Sequence, residues 1–427
     1  MKDKRRGLER VKTLLIVLLT CSTLYLACVT LFPGGPAGLW QRLFPEDSAS
    51  SAYGGEGQNS FLLDTLRPAA LAVTGEDGRC AYLYDQSELE GYTQSSTLLA
   101  EALSAAGTPR RITSAQWRQA LGAPGIYLEY LGELPLDALC RWLAGQDNPA
   151  LRGFQSRRIL VGGGALYFYS EGQAAPYAAD LSAPLENSLR QLAQSLSPNG
   201  GRFAFEDAAY PKLRPETLLR TYTPAMPALA ADSPIAVGED GSPNETLSRL
   251  LHALSFHPQT NPLYSIPGGW AINDGGETLR ISDGTVTFRQ AGEEAPRFPL
   301  GDQPLDTARA LAEQALGSLC GDAHLYLRSV TESEGVTTVT FGYAYLGSAI
   351  QVGESGWCAR LQLENGAISA LTLCPRSYSV LSESVTLLPQ EQAAATLSGT
   401  GTWAMRVVYE DARDGAPLAP FWAASRT

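Results

Sequence analysis

The sequence is poor in residues that most enzymes use for catalysis and metal binding. It has 3 histidines in 427 residues, His252, His257 and His324. No HExxH or CxxC pattern occurs, so nothing resembles the three or four closely spaced ligands of a zinc site. We therefore predict that the protein holds no metal ion and no cofactor.

Lysine is equally scarce, because the chain beyond residue 12 contains one lysine, Lys212. An SxxK acylation motif is excluded, since Ala209 stands three residues before Lys212, and no GxSxG nucleophile elbow occurs. The glycines at 162–164 match neither the GxGxxG nor the GxxxxGK(S/T) nucleotide-binding pattern and are more typical of a turn. The acidic pairs at 239–240 and 293–294 lie in polar, turn-like runs, which favours solvated charge over a glycosidase site. We predict no catalytic residues.

Almost the whole chain lacks an excess of basic residues. The net charge is -12, and the first twelve residues hold six of the 32 basic and two of the 44 acidic residues. The rest of the chain therefore carries a net charge of -16. Such an acidic surface argues against nucleic acid as a partner.

Outside the apolar segment at residues 13–32, the cysteines cannot all be paired in disulfides. Of 7 cysteines, Cys21 and Cys28 lie in that segment and an odd number remains. Cys358 and Cys374 flank a predicted hairpin with the turn at 365–366. A two-residue turn would point these two thiols to opposite faces, whereas a bulged loop would bring them together, so their pairing stays open. Buried free thiols are the default expectation.

The segment at residues 13–32 has twenty residues without a charge. A helix of that length is roughly 30 Å long, which matches the apolar core of a bilayer. Basic residues dominate positions 1–12, so we predict a cytoplasmic N-terminus, one transmembrane helix and an extracytoplasmic remainder at the cell membrane. A cleaved signal peptide fits less well, because the apolar run is too long and Ala27, Cys28 and Val29 make a poor cleavage site. A lipoprotein signal fits poorly too, since Tyr25 stands where an aliphatic residue is expected.

The remaining chain predicts an α+β fold with antiparallel sheets and packed helices. Residues 33–59 are rich in Gly, Pro and Ser and predict a tether. We expect an N-terminal domain at 60–210, a middle domain at 211–300 and a C-terminal domain at 301–427. The second and third each start with a helix followed by strands, which suggests a structural repeat.

Particular elements follow from local patterns. Hairpins are predicted at 69–84 and 158–169, and a Pro-rich connection at 211–234. A helix is predicted at 97–106, and a second is expected to begin at a Ser114 cap. In the middle domain Ser242 and Glu245 suggest a capping box, with Pro243 as the first helical residue. Aromatic residues on the strands, Tyr127, Tyr130, Tyr167, Phe168 and Tyr169, fit either a core or a protein-binding face.

Several segments together resemble the YycH family of two-component regulators. They are residues 64–68, 82–84, 117–121, 125–130, 134–135, 254–258 and 276–281. The basic N-terminus and single anchor are also similar to that family. Residues 270–273 depart from it, since Trp270 begins a stretch where the family has a tyrosine before the turn.

The resemblance implies a membrane-anchored protein that is not an enzyme. Members of the family bind the essential sensor histidine kinase of cell-wall control in Gram-positive bacteria, often with a related partner called YycI. The C-terminal domain is expected to be YycI-like, and the transmembrane helix contributes to regulating the kinase. An anchored cell-envelope enzyme, an inhibitor or a polymer-binding module remains the alternative.

Small and hydroxyl side chains in the predicted anchor are candidates for binding a partner helix. Thr20, Thr23, Ala27 and Thr30 recur at spacings of three and four residues, so they lie along one helix face. Small residues let helices approach closely in lipid, and hydroxyl groups bond across them. A plain anchor, in which the hydroxyl groups bond only to their own backbone, stays open.

Overall fold

The computed structural model of the protein describes residues 66–83, 89–220, 225–291 and 296–426. All of them belong to one compact unit, Glu56–Thr427. The predicted membrane span at 13–32, the basic segment before it and the tether after it lie outside the described residues. Within the described residues, no helix has the length and apolar character needed to cross a bilayer.

A first sheet of seven antiparallel strands is built from the N-terminal half, in the order β2-β1-β4-β5-β6-β7-β3. Its strands are β1 (Ala70–Gly75), β2 (Gly78–Leu83), β3 (Arg110–Arg111), β4 (Gly125–Pro135), β5 (Gln155–Gly162), β6 (Ala165–Ser170) and β7 (Ala175–Asp180). The helices between and after them are α1 (Leu89–Ala105), α2 (Ser114–Gly122), α3 (Leu136–Ala144) and α4 (Glu186–Ser195).

Apolar residues cover both faces of the first sheet. On one face Leu71 and Ile126 pack in the same core as Leu99 of α1 and Leu139 of α3. On the other face Tyr127, Leu160 and Ala72 pack with Trp117 of α2 and with Phe203 and Leu218 of the segment that follows α4. These strands alternate between two apolar sides, which is typical of a sheet buried between layers.

A connecting segment then joins the two sheets. It contains the short antiparallel pair β8 (Arg202–Phe203) and β9 (Leu218–Leu219), followed by β10 (Met226–Asp232). β10 pairs with β20 (Ser377–Val385), far along the chain. We expected only a Pro-rich connection over 211–234. The strand escapes local pattern recognition because its alanines and Pro227 have low strand propensity.

The second sheet has eleven strands and contains residues from both the predicted middle and C-terminal domains. They are β11 (Tyr264–Ile266), β12 (Gly269–Asp274), β13 (Glu277–Ser282), β14 (Thr285–Arg289), β15 (His324–Ser333), β16 (Val336–Tyr345), β17 (Ser348–Val352), β18 (Ala359–Glu364), β19 (Ala367–Leu373), β21 (Trp403–Asp411) and β22 (Phe421–Arg426). β17 and β21 pair in parallel, whereas the other pairs are antiparallel.

The order of the second sheet places β14 beside β19, so one sheet runs across the predicted boundary between residues 300 and 301. Helices α5 (Glu245–Ala253) and α6 (Pro304–Leu316) pack on one face through Leu251 and Ala312, against Ile272, Leu279 and Leu371. A last helix is α7 (Gln390–Ala395). The predicted α+β class with antiparallel sheets is confirmed, while the domain boundaries stay predictions.

Two helices start earlier than the local patterns suggest. Thr113, not Ser114, caps α2, because the Gln116 N–H donates to Thr113 Oγ1 at 3.2 Å and the Thr113 N–H donates to Gln116 Oε1 at 2.9 Å. α1 begins at Leu89, eight residues before the predicted start.

The expected capping box at the start of α5 is wrong. The helix begins at Glu245 after an Asn244 cap, whose Oδ1 accepts from the Leu247 N–H at 2.8 Å. Ser242 instead donates its hydroxyl to Asp240 at 2.6 Å, which stabilises the preceding turn. The side-chain oxygen of Asn244 can reach the N–H group three residues later, as an N-cap requires, and Pro243 lies outside the helix.

The pairing of β18 with β19 settles the position of two cysteines. The turn at 365–366 is tight, but the register shifts between Gln362 and Leu363. This bulge brings the backbones of Cys358 and Cys374 together, and the Cys374 N–H donates to the Cys358 carbonyl at 2.7 Å. Both cysteines are buried and free.

Candidate functional site

The predicted partner-binding residues Thr20, Thr23, Ala27 and Thr30 lie outside the described residues. Their role in a helix contact stays a prediction.

The histidines do not converge on a metal site. The rings of His252 and His257 lie 5.6 Å apart, and His257 Nδ1 lies 3.1 Å from Asp274 Oδ2. His324 begins β15, in a different part of the sheet. Among the residues that the structure describes, no group of three His, Cys, Asp or Glu side chains could hold a metal ion.

The thiols are shielded from chemistry. Cys80, Cys140, Cys320, Cys358 and Cys374 are all buried, and none of them forms a disulfide. Burial raises the pKa of the Cys320 thiol to about 12 and the pKa of Cys358 well above its usual value. A thiol must lose its proton to act as a nucleophile, so Cys320 and Cys358 are poor nucleophiles at neutral pH.

Two partly buried carboxyl groups, on different elements, have raised pKa values. Burial raises the pKa of Glu133 on β4, with Arg157 opposing the shift. Burial also raises the pKa of Glu313 on α6, although Arg309 Nη1 lies 3.1 Å from it. Neither lines a cavity described below. An acid and base pair requires two carboxyl groups at one cleft, and these two are not arranged in that way.

The predicted strand aromatics serve mainly as core. Tyr127, Tyr130 and Phe168 are buried. Tyr167 and Tyr169 are partly buried against the second face of the first sheet. The Arg158 guanidinium lies 4.0 Å from the centre of the Tyr169 ring. Three of the five rings are therefore core, and Tyr167 and Tyr169 remain partly exposed.

A network of buried charges joins the first sheet to the segment that follows α4. Arg158 on β5 is 2% exposed and pairs with Glu216 and, at 2.6 Å, with Glu171. Arg214 lies 3.5 Å from Glu129 and 3.7 Å from Glu171. Each buried cation thus has carboxylate partners, which is the condition under which charge burial is tolerated.

A second network of buried polar groups lies between β20 and β21. The Arg376 guanidinium donates two hydrogen bonds to Asp411, at 2.7 and 2.9 Å. The Tyr378 hydroxyl donates to the same carboxylate at 2.9 Å. Burial and the Asp411 charge raise the pKa of Tyr378 far above its usual value, so it stays a donor. The start of β20 is thereby fixed to the end of β21.

The two sheets are also joined directly. Asp306 at the start of α6 accepts from Arg141 Nε at 3.0 Å and from Trp142 Nε1 at 2.6 Å, both on α3. Gly132 on β4 lies so close to β15 that an added Cβ would stand 2.0 Å from the Leu327 carbonyl oxygen. Backbone contact of that kind requires glycine. These contacts hold the two sheets in a fixed arrangement.

Two sizeable cavities open on the surface. The first, of about 550 Å³, is lined by the β1–β2 turn, the glycine turn before β6 and α4, with Glu76, Asp77, Glu186 and Arg190 as its charged residues. Gly163 belongs to this turn, as predicted, and an added Cβ there would meet Glu186 Cγ at 2.5 Å. Thr74, Cys80 and Ser197 also line the cavity. Three of its four charged residues are acidic, which does not suit a phosphate.

The second cavity, of about 570 Å³, is a groove on the solvent side of the second sheet. It is formed by β13, β14, β19 and β18 and contains three exposed arginines, Arg280, Arg289 and Arg360. We call this surface the arginine face. Sequence analysis missed it, although the alternation of Leu279, Arg280 and Ile281 could have shown that Arg280 points away from the core.

Comparison with known proteins rests on the fold. No known family profile and no curated protein matches the sequence. The crystal structure of YycH from Bacillus subtilis matches with a TM-score of 0.52, covering 86% of this chain and 95% of that one. The two sequences are 12% identical. Since the match spans nearly the whole of the solved chain, the chain has a YycH-like fold.

Proposed function

We propose that the protein is a membrane-anchored regulator of a sensor histidine kinase in a two-component system that controls cell-wall metabolism, and that it is not an enzyme. The observation that carries the proposal is the YycH-like fold, which extends over 86% of the chain. The thin set of candidate catalytic groups among the described residues supports it. The basic segment at 1–12 and the uncharged segment at 13–32 support the membrane anchor.

The expected mode of action uses both parts of the chain. The helix at residues 13–32 lies beside the transmembrane helices of the kinase, and the extracytoplasmic part contacts the kinase or a YycI-like partner. A regulator shifts a kinase between two states only if it binds one of them more tightly. Lateral contact in lipid would use the face formed by Thr20, Thr23, Ala27 and Thr30.

The cross-sheet contacts support the extracytoplasmic part of this proposal. Asp306 ties α6 to α3, and the close approach at Gly132 ties β15 to β4. A rigid body can transmit the position of a bound partner to the anchor, whereas a loosely joined pair of domains would absorb it. A YycI-like partner would then act on the whole described unit.

The anchor face can be tested by substitution. We expect a protein with Thr20→Leu, Thr23→Leu and Ala27→Leu to remain in the membrane but to lose its effect on phosphorylation of the response regulator. The matched control is Cys21→Leu, Tyr25→Leu and Cys28→Leu, on the opposite helix face, which should leave the effect intact. Equal activity of both triple variants would contradict a role for this face.

A further inference from the structure

The arginine face exposes three arginines together, and none of them has a partner among the described residues. Arg280, Arg289 and Arg360 are exposed. In the described part of the chain none of the three guanidinium groups makes a hydrogen bond or an ion pair. By contrast, buried arginines such as Arg158 and Arg376 are paired with carboxylates. Unpaired cations in a protein of net charge -12 indicate a surface for an anion.

Hydroxyl groups separate the arginines along one row across the strands. Arg280 pairs in register with Thr287, Thr287 with Thr372, and Thr372 with Arg360. The residues on the other side of the same strands, including Leu279, Phe288 and Leu371, belong to the core. The floor of the groove is therefore formed mainly by polar side chains, with Ala370 opposite Arg289. Glu364 is an acidic residue of β18 on the same side, but it lies at the end of the strand, beyond Gln362.

The spacing of the row fits an extended peptide. Neighbouring strands lie roughly 4.8 Å apart, so Arg280 and Arg360, three strands from each other, are separated by roughly 14 Å at the backbone. An extended chain repeats a side chain on one side every roughly 7 Å, so acidic residues four positions apart span the same roughly 14 Å. Arg289 lies two residues along β14 from Thr287. There it can reach the peptide's middle acidic residue, which lies between the two that contact Arg280 and Arg360.

We propose that the arginine face binds an extended acidic segment of a partner protein, with Asp or Glu at alternate positions. Each carboxylate would accept hydrogen bonds from a guanidinium group in a forked geometry, and the threonine hydroxyl groups would donate to it as well. The inference goes beyond the proposed function, because it does not require that the partner be a kinase.

The test uses the full chain in micelles of an uncharged detergent. The probe is a fluorescent peptide in which Ser and Glu alternate, with a second peptide carrying Gln in place of Glu. We expect the Glu peptide to bind at low salt and the Gln peptide to bind at least tenfold more weakly. Binding should weaken in 0.5 M salt, because exposed charges are screened.

Two triple variants with the same loss of charge make the test specific. Arg280→Gln, Arg289→Gln and Arg360→Gln should weaken peptide binding at least tenfold. Arg118→Gln, Arg152→Gln and Arg249→Gln remove three exposed arginines elsewhere and should change it less than twofold. Since the removed groups make no contacts within the described protein, both variants should keep the near-UV spectrum of the parent.

Three outcomes would overturn the proposal. The Glu peptide fails to bind at low salt, or both triple variants lose binding equally, which would show a general charge effect. In the third, inorganic polyphosphate binds to the arginine face while the Glu peptide does not, which would replace an acidic peptide by a phosphate ligand. Replacing the same three arginines by lysine should weaken binding several-fold, since lysine keeps the charge but lacks the fork.

Discussion

The two sheets differ in the burial and pairing of several of their arginines. In the first sheet both faces are covered, and Arg158 and Arg79 are buried against carboxylates. In the second sheet four strands leave one face open, and Arg280, Arg289 and Arg360 stand there without partners. A buried cation must be paired for the fold to be stable, whereas an exposed one is tolerated without a partner. The paired arginines stabilise the scaffold, whereas the three unpaired arginines of the arginine face lie together in one groove and remain available for binding.

The largest expected effect comes from breaking a buried pair. Arg158→Met should lower the free energy of unfolding by about 3–5 kcal/mol, because Glu171 and Glu216 would lose their shared cation inside the protein. Urea unfolding followed by tryptophan fluorescence measures it. The matched control is Arg360→Met, which should change stability by less than about 0.5 kcal/mol. Similar losses in the two variants would remove the distinction between the sheets.

A smaller effect is expected at the junction of the sheets. Asp306→Ala removes the acceptor for Arg141 and Trp142 and should cost about 1–2 kcal/mol, since the carboxylate is partly exposed. Limited proteolysis should also become faster if the sheets separate. Asp302→Ala, an exposed neighbour, serves as the control. An unchanged free energy of unfolding in Asp306→Ala would show that the sheets are held by their apolar core alone.

The smallest effect is a pH dependence at Glu206. Burial raises the pKa of Glu206, but hydrogen bonds from Arg79 and from the Phe203 N–H outweigh it and hold the pKa below its usual value. A carboxyl group of this kind adds stability above its unfolded pKa, about 4.3, and that stability is lost as the pH falls through the folded pKa.

We therefore expect Glu206→Gln to be less stable than the parent at pH 6, with the difference shrinking below pH 4. Urea unfolding at several pH values measures it, and Glu76→Gln at an exposed turn is the control. A difference that stays constant from pH 6 to pH 3.5 would show that the carboxylate charge contributes nothing.

Local patterns predicted the parts of the fold that depend on neighbouring residues. The β1–β2 hairpin follows from Gly78 in its turn, where φ is +134. The β18–β19 hairpin follows from Asn365 and Gly366, both with positive φ. The bulge that brings Cys358 opposite Cys374 depends on how Leu363 and Ile368 pair, so the sequence alone left that point open.

The features that local patterns did not predict depend on contacts between residues far apart in the sequence. β7 and β10 are built from alanine and proline and form strands because their neighbours supply hydrogen bonds. The pair of Arg158 with Glu216 joins positions 58 residues apart, which no periodicity signals. The alternation along β13 and β14 could have indicated outward arginines, although the sequence analysis did not use it, and only the strand order places Arg360 in the same row.

The central claim is tested most directly by chemical crosslinking and co-purification from membranes, combined with the phosphorylation of the response regulator in a deletion strain. The account predicts that a sensor histidine kinase is recovered with the protein and that phosphorylation changes when the gene is deleted. Recovery of no kinase together with unchanged phosphorylation would contradict it, and the YycH-like fold would then serve another function.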